Sequence, residues 1–359
     1  MNQRKKIITI VGARPQIIKS SAISRAVKTV FSEQLEEIIV HTGQHYDENM
    51  SKVFFEEMNI PTPNYNLQVG SGSHGQQTAR MLEGLEKIFL DEKPDGVVVY
   101  GDTNSTIAGA LAASKLHIKI AHVEAGLRSF NKLMPEEINR ITTDRISDLL
   151  LVPSQNAMQL LENENLSENA IFTGDVMFDS ILFYQKMAEE KYSLNSITSE
   201  SEFYLATVHR AENTDDKERL QNIFSAFSEM NKPVLLPLHP RTKSKLDGIN
   251  FNDNIKIIEP VSYLEMILLL KNSSKVLTDS GGLQKEAYFM KKPCITLRDE
   301  TEWVETLNGN WNFICGANTE TILDKIKVTD FEKQKDYYGN GNAGKKIVDS
   351  LIKFSIAKN

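Results

Sequence analysis

One stretch limits the folds open to this chain more than any other. Residues 97–140 read VVVYGDTNSTIAGALAASKLHIKIAHVEAGLRSFNKLMPEEINR. The apolar run Val97–Tyr100 stops at Gly101-Asp102-Thr103, a helix rich in small residues is expected over Thr106–Leu116, and a second apolar run, Ile118–Val123, stops at Glu124-Ala125-Gly126. Two short buried strands joined by a helix make a parallel βαβ unit. Asp102 and Glu124 then stand at the carboxyl ends of neighbouring strands, the edge where open parallel sheets bind ligands. Carboxylates are poor strand residues and costly to bury unpaired. Each one taken alone could equally cap the following helix; together they suggest a site. Glu136 is a third carboxylate, next to Pro135 at the expected start of a helix.

The same alternation runs through the whole chain. Ile7–Val11 is an expected strand, followed by the turn Gly12-Ala13-Arg14-Pro15 and a helix over Gln16–Thr29. No GxGxxG occurs there, so the dinucleotide fingerprint is missing. Arg14 and Lys19 lie near that helix's N-terminus, where cations are disfavoured unless an anion joins them. His41 and His45 have the spacing of a metal pair on a helix, but an intervening glycine and a preceding strand make a loop the better reading, and no metal site is expected. In the second half, Phe203–Val208 ends in His209-Arg210, Val234–Leu238 in His239-Pro240-Arg241, and Lys275–Thr278 in Asp279-Ser280-Gly281-Gly282 ahead of a helix. Ser280, Gly281 and Gly282 would present backbone N–H groups at a helix N-terminus with no side chain in the way, which suits a phosphate or pyrophosphate. His209, Arg210 and Arg241 add cations at the same sheet edge. Glu286, one turn into that helix, could accept hydrogen bonds from ribose hydroxyls.

A chain of 359 residues is too long for one ordinary core. Two doubly wound, Rossmann-like α/β domains facing each other across a cleft are expected. Residues 1–170 form the first domain and carry the acid–base carboxylates. Residues 171–344 form the second and bind the anion, and a last helix over 345–356 packs back on the first. The boundary is placed between about residue 170 and the polar stretch SLNSITSES at 193–201. The net charge of −7 argues against nucleic acid as the main partner. The two cysteines carry no CxxC spacing, and no apolar run reaches membrane-spanning length. The expectation is a soluble cytoplasmic protein with no membrane partner. Carboxylates opposite a diphosphate site would do proton chemistry on the uncharged part of the ligand. The residues alone therefore suggest acid–base work at the sugar of a nucleotide sugar.

Nine ordered segments carry a resemblance: GARPQIIK (12–19), HTGQHYDENM (41–50), GDTNST (101–106), HVEAGLRSFN (122–131), MPEEINR (134–140), HRAEN (209–213), LHPRT (238–242), TDSGGLQKEA (278–287) and LRDETEW (297–303). The chain resembles the UDP-N-acetylglucosamine 2-epimerase family. That resemblance implies a glycosyltransferase-B-like fold, a homodimer and epimerisation at C2 of a UDP-2-acetamido sugar, with no cofactor. UDP is lost by anti elimination and then added back, here expected to convert UDP-N-acetylglucosamine to UDP-N-acetylmannosamine for surface-polysaccharide precursors. By matching motifs, Asp102, Glu124, Glu136 and His209 are similar to the family's catalytic groups. Arg14, Lys19, Gln44, Arg128, Arg210, His239, Arg241, Ser280, Gly281, Gly282 and Glu286 are similar to its substrate-binding set.

The chain also departs from the family pattern. Gln16 stands where the family usually has an acid, and Trp303 stands in place of an arginine of TERPE. Asp47 and Glu48 occupy a stretch that elsewhere helps bind an activating substrate molecule. GARPQ and TEWVE resemble the branch acting on UDP-2,3-diacetamido-2,3-dideoxyglucuronate, whose sugar carboxylate would need a first-domain cation such as Arg128 or Arg80. A hydrolysing epimerase, a glycosyltransferase and a non-catalytic sugar-nucleotide sensor are the competing readings.

Overall fold

Strands that are apolar along their whole length need cover on both faces. The alternating helices supply it. A computed structural model describes residues 4–43, 55–238 and 240–356. The first sheet contains β1 (Lys5–Val11), β2 (Leu35–His41), β3 (Tyr65–Asn66), β4 (Gly96–Tyr100), β5 (Lys119–Val123), β6 (Leu149–Val152) and β7 (Ala170–Phe172), all parallel, in the order β3-β2-β1-β4-β5-β6-β7. The second contains β8 (Tyr204–Thr207), β9 (Val234–Pro237), β10 (Ile255–Ile258), β11 (Val276–Thr278), β12 (Cys294–Thr296) and β13 (Asn312–Ile314), also parallel, in the order β10-β9-β8-β11-β12-β13. Each sheet therefore reverses its strand order at one place, between β1 and β4 in the first and between β8 and β11 in the second. A crevice opens at the carboxyl ends of the strands at such a switch point.

The small-residue helix begins two residues earlier than its sequence indicates, at Asn104, and runs to Lys115. The Thr103 side chain accepts from Thr106 N–H, and the Thr106 side chain in turn accepts from Thr103 N–H. This exchange of side-chain caps fixes the start. Small residues are required because the helix lies hard against the sheet. A Cβ on Gly109 would come within 2.4 Å of Ile10 Cδ1, and Ala108, Ala110, Ala112 and Ala113 are fully buried.

The chain divides into two compact units, residues 1–180 with 336–359 and residues 181–335. A boundary at 170/171 falls inside β7, which hydrogen-bonds to β6 and completes the first sheet. Residues 171–180 and 336–344, assigned above to the second domain, thus belong to the first unit. The polar stretch at 193–201 is not a free linker: Leu194 and Ile197 pack on an apolar cluster of the second unit around Phe203, Leu205 and Leu269. The helix Ala343–Ile356 lies on the helix Arg14–Val30, so closely that a Cβ on Gly344 would sit 2.8 Å from Ala22 O. The carboxylate of Asp179 accepts from the N–H groups of Ala343 and Gly344 at 3.0 and 2.8 Å and holds that helix's start. Among the described residues no helix is long and apolar enough to cross a membrane.

Candidate active site

The first unit gathers its charged residues at its switch point. Gln16, buried in the helix after β1, donates to Tyr100 O at 2.7 Å and to the Thr103 and Thr106 hydroxyls at 3.0 Å. Its carbonyl accepts from Gly12 and Ala13 N–H. One neutral amide thus ties the turn after β1 to the turn after β4, donating and accepting at once. A carboxylate could accept from those N–H groups but could donate to none of the oxygens. The departure at position 16 is therefore a working part of this site, which its motif alone does not reveal.

One turn further along, Lys19 forms an ion pair with Glu124, whose side chain is 5% exposed. Glu124 follows β5 with φ of +70°, a costly conformation for a residue other than glycine and one that clusters at functional sites. Asp102 follows β4 and pairs with Arg140 from the helix Pro135–Ile146, while Asn139 of the same helix donates to Asp102 O at 2.9 Å. Burial pushes the Asp102 carboxyl up from its ordinary value; Arg140 and Lys19 offset part of that, and Glu124 adds to it.

Glu136 lies exposed in the first turn of the same helix and makes no protein hydrogen bond or ion pair among the described residues. Its neighbour Glu137 is buried and accepts from Ser129 N–H, the Ser129 hydroxyl, Phe130 N–H and Arg140. Adjacent acids on one helix point to different sides, so one holds a loop and the other is left open.

The second unit dresses the same topological place with backbone donors. Ser280 caps the helix Gly281–Phe289, its hydroxyl accepting from Leu283 N–H at 3.4 Å. Gly281 has no room for a side chain: a Cβ there would meet Glu302 Oε1 at 2.8 Å and stand 3.6 Å from Arg298 Nη1 and Trp303 Nε1. Gly282 is more open, with nothing closer than 3.9 Å to such an atom. The turn after β8 is built by Asp279, which is fully buried. Its carboxylate accepts from His209 N–H, Arg210 N–H and the Asn213 amide at 3.0–3.2 Å. His209 Nδ1 lies 3.3 Å from the same carboxylate, and the side chain is 53% exposed. Asp279 was visible in TDSGG only as a strand-end acid; its part in carrying His209 and Arg210 depends on β8 and β11 being neighbours. Glu286 accepts from the Tyr263 hydroxyl at 2.9 Å. Burial pushes its carboxyl up to about 7, against the opposing influence of Tyr263 and Lys285.

Arg14 is exposed on the first turn of its helix, and Arg80 is exposed on the helix His74–Glu92. Arg128 must be corrected. Its guanidinium is spent inside the first unit, donating to both oxygens of Glu164 at 2.7 and 2.8 Å, to Asp144 at 2.7 Å and to Leu127 O. It is 6% exposed and is a structural ion-pair residue. Gln44, His45, Asp47, Glu48 and His239 lie outside the described residues, as does the side chain of Arg241 on the helix Pro240–Lys243. Among the described residues no group of three or more potential ligands is arranged to hold a metal.

Two parallel doubly wound sheets, one with paired carboxylates at its switch point and one with a glycine-opened helix N-terminus, place the chain in the glycosyltransferase-B-like fold class. The sequence model described as UDP-N-acetylglucosamine 2-epimerase matches residues 28–352. A UDP-N-acetylglucosamine 2-epimerase homolog of Methanococcus maripaludis is 55% identical over 96% of this chain and 99% of its own. The UDP-2,3-diacetamido-2,3-dideoxy-D-glucuronate 2-epimerase of Pseudomonas aeruginosa is 50% identical over 97% of this chain and 99% of its own. The crystal structure of the Methanocaldococcus jannaschii UDP-GlcNAc 2-epimerase in complex with UDP-GlcNAc and UDP superimposes with a TM-score of 0.85, at 46% identity, over 97% of this chain and 99% of that one. The chain belongs to the UDP-N-acetylglucosamine 2-epimerase family and is an isomerase.

Proposed function

We propose that this protein interconverts UDP-N-acetylglucosamine and UDP-N-acetylmannosamine without hydrolysis. The second unit holds the uridine diphosphate: the N–H groups after Ser280, with His209 and Arg210, take the phosphates, and Glu286 takes the ribose. The first unit supplies the proton transfers. In the forward half-reaction a carboxylate, Glu124 or Glu136, removes the C2 proton. The C1–O bond breaks, its electron pair leaves on the β-phosphate oxygen, and a C1=C2 bond forms. The positive groups around the diphosphate stabilise the charge that develops on the leaving group. UDP then adds back as a proton reaches C2 from the opposite face. Asp102, whose carboxyl burial pushes upward against the pull of Arg140 and Lys19, is the carboxylate assigned to exchange that proton. With this reading goes a homodimer in the cytoplasm that supplies surface-polysaccharide precursors.

The choice of a neutral sugar rests on Arg128. A uronate needs a cation opposite its carboxylate; of the two first-unit candidates, this guanidinium is already committed to Glu164 and Asp144, which leaves the exposed Arg80. The diacetamidoglucuronate remains a second reading, favoured by the relative that is half identical to this chain and carries that name. Proton NMR in deuterated water separates the outcomes. Deuterium at C2, with both UDP-linked epimers present from UDP-N-acetylglucosamine, is the expected result. Faster turnover of the diacetamidoglucuronate would transfer the assignment to that branch. Accumulating free sugar would make the protein a hydrolysing epimerase, and no exchange with either sugar would overturn epimerisation.

A further inference from the structure

His122 has no role in the chemistry above, yet it lies on β5 two residues before Glu124 and is fully buried. Both of its ring nitrogens are engaged. Nδ1 lies 2.7 Å from Asp144 Oδ1 and Nε2 lies 2.7 Å from Gly101 O. The Gly101 carbonyl belongs to the peptide bond that begins Asp102. Gly101 also donates its own N–H to Val123 O at 3.0 Å, and its φ is +60°. The residue before Asp102 is therefore clamped from both ends by β5.

The partners of His122 restrict its hydrogen bonding. A carbonyl oxygen can only accept. The other Asp144 oxygen takes Arg128 at 2.7 Å and Gly126 N–H at 3.1 Å, both donors. Burial works against the Asp144 charge, but His122 and Arg128 more than reverse this and hold the carboxyl below its ordinary range. A neutral imidazole offers one donor and one lone pair. Either tautomer would aim that lone pair at an oxygen 2.7 Å away. Only the doubly protonated ring satisfies both contacts.

Resting on the assignment of Asp102 to proton transfer, we propose that His122 is a buried imidazolium and the positioning residue of the acid–base site. It orients the Gly101–Asp102 peptide and sets a positive charge beneath the carboxylates. The helix Pro135–Ile146 then serves the site through three residues. Asn139 and Arg140 hold Asp102 directly, and Asp144 holds it through His122. The other charged groups on β5 and the elements packed against it are Lys119 on β5, Asp102 after β4, Glu124 (paired with Lys19) and Arg128 after β5, Lys115 at the end of the small-residue helix, Glu136, Glu137, Arg140 and Arg145 on the helix Pro135–Ile146, and Asp148 before β6.

Two measurements on the full-length chain test this. The first is nitrogen NMR of protein labelled with 15N-histidine, with His122 identified among the seven histidines by its loss in a substituted protein. Two bonded protons on the His122 ring of the folded protein are expected, and the nitrogen shift of an unprotonated ring position would overturn the proposal. The second is kinetics of His122→Gln, which can still donate toward Gly101 O, and His122→Asn, which can still donate toward Asp144. Both lose the charge. Losing the Gly101 contact should lower kcat about 10²-fold in His122→Asn while KM moves less than about threefold. His122→Gln should keep more of kcat. In both, the pH–rate limb that Asp102→Asn removes should move upward by on the order of one unit, because a nearby cation is gone. Folded variants with unchanged kcat, or with lowered kcat and an unmoved pH limb, would reduce His122 to a packing residue. If the unaltered enzyme epimerises neither sugar, the functional reading fails, and the imidazolium still stands or falls on the nitrogen spectrum.

Discussion

The two sheets share one topology and furnish their switch points in opposite ways. In the first unit the strand ends carry side-chain charges, each neutralised by a named partner: Asp102 by Arg140 and Glu124 by Lys19. In the second unit the strand ends carry backbone donors at a helix N-terminus; buried Asp279 there is spent on N–H groups of the turn after β8, and Glu286, within the helix, meets a hydroxyl. Paired charges at fixed distances suit the movement of a proton. A fan of N–H groups suits the retention of an anion whose chemistry happens elsewhere. One fold thus yields a reactive edge or a holding edge according to what stands in the two or three residues after each strand.

Four substitutions test that division, from the largest expected effect to the smallest. Asp102→Asn removes the proposed proton-transfer group and should lower kcat by about 10²–10⁴-fold. UDP affinity, measured by calorimetry, should stay nearly unchanged. An equal loss of UDP binding would erase the distinction between the two edges. Asp279→Ala strips the acceptor from two N–H groups and an amide, and should destabilise the second unit by about 3 kcal/mol in urea unfolding. A loss confined to catalysis would mean that His209 and Arg210 are held by other means.

Glu286→Gln sharpens the account of the holding edge through pH. The folded-state carboxyl is raised to about 7 from 4.5, so the folded protein binds the proton more tightly than the unfolded chain. The stability this gives is present below pH 4.5 and is lost as pH rises toward 7. The glutamine variant should therefore match the unaltered protein at pH 4 and exceed it at pH 8, by at most about 3 kcal/mol. Identical stability curves across that range would show that Glu286 is readily solvated. Gly281→Ala, whose new Cβ would press on the movable Glu302 side chain, should raise KM about tenfold, about 1.4 kcal/mol, with kcat within about twofold. A fall in kcat instead would extend the chemistry to the second unit.

Much of this was legible in the sequence because parallel sheets advertise themselves. Buried strands are continuous apolar runs, and the residues that break them fall at the ligand-binding edge. Asp102, Glu124 and Ser280–Gly282 could be placed on that logic. Partnerships across the sheet could not be. Asp279 acts on the turn after β8, and His122 acts on the turn after β4, because those strands are neighbours, and strand order is not written in local pattern. Arg128 misled for the converse reason. An arginine beside an acid-rich site reads as a ligand group until its 6% exposure and its bonds to Glu164 and Asp144 are known. The boundary at 170/171 erred because β7 is three residues long and partly exposed, too brief to declare which sheet it joins.

The helix Ala343–Ile356 closes over Arg14–Val30, and everything from Ile181 to Lys335 lies between them in the chain. During synthesis, which proceeds at about 5–20 residues per second, the first unit must therefore wait. Its sheet can assemble early, but the covering helix is made only after the whole second unit has emerged. Until then the apolar side of Arg14–Val30, including Ala22 against which Gly344 will press, stays open to water and to other nascent chains. The second unit, being continuous, can finish folding before the first, although it is made later.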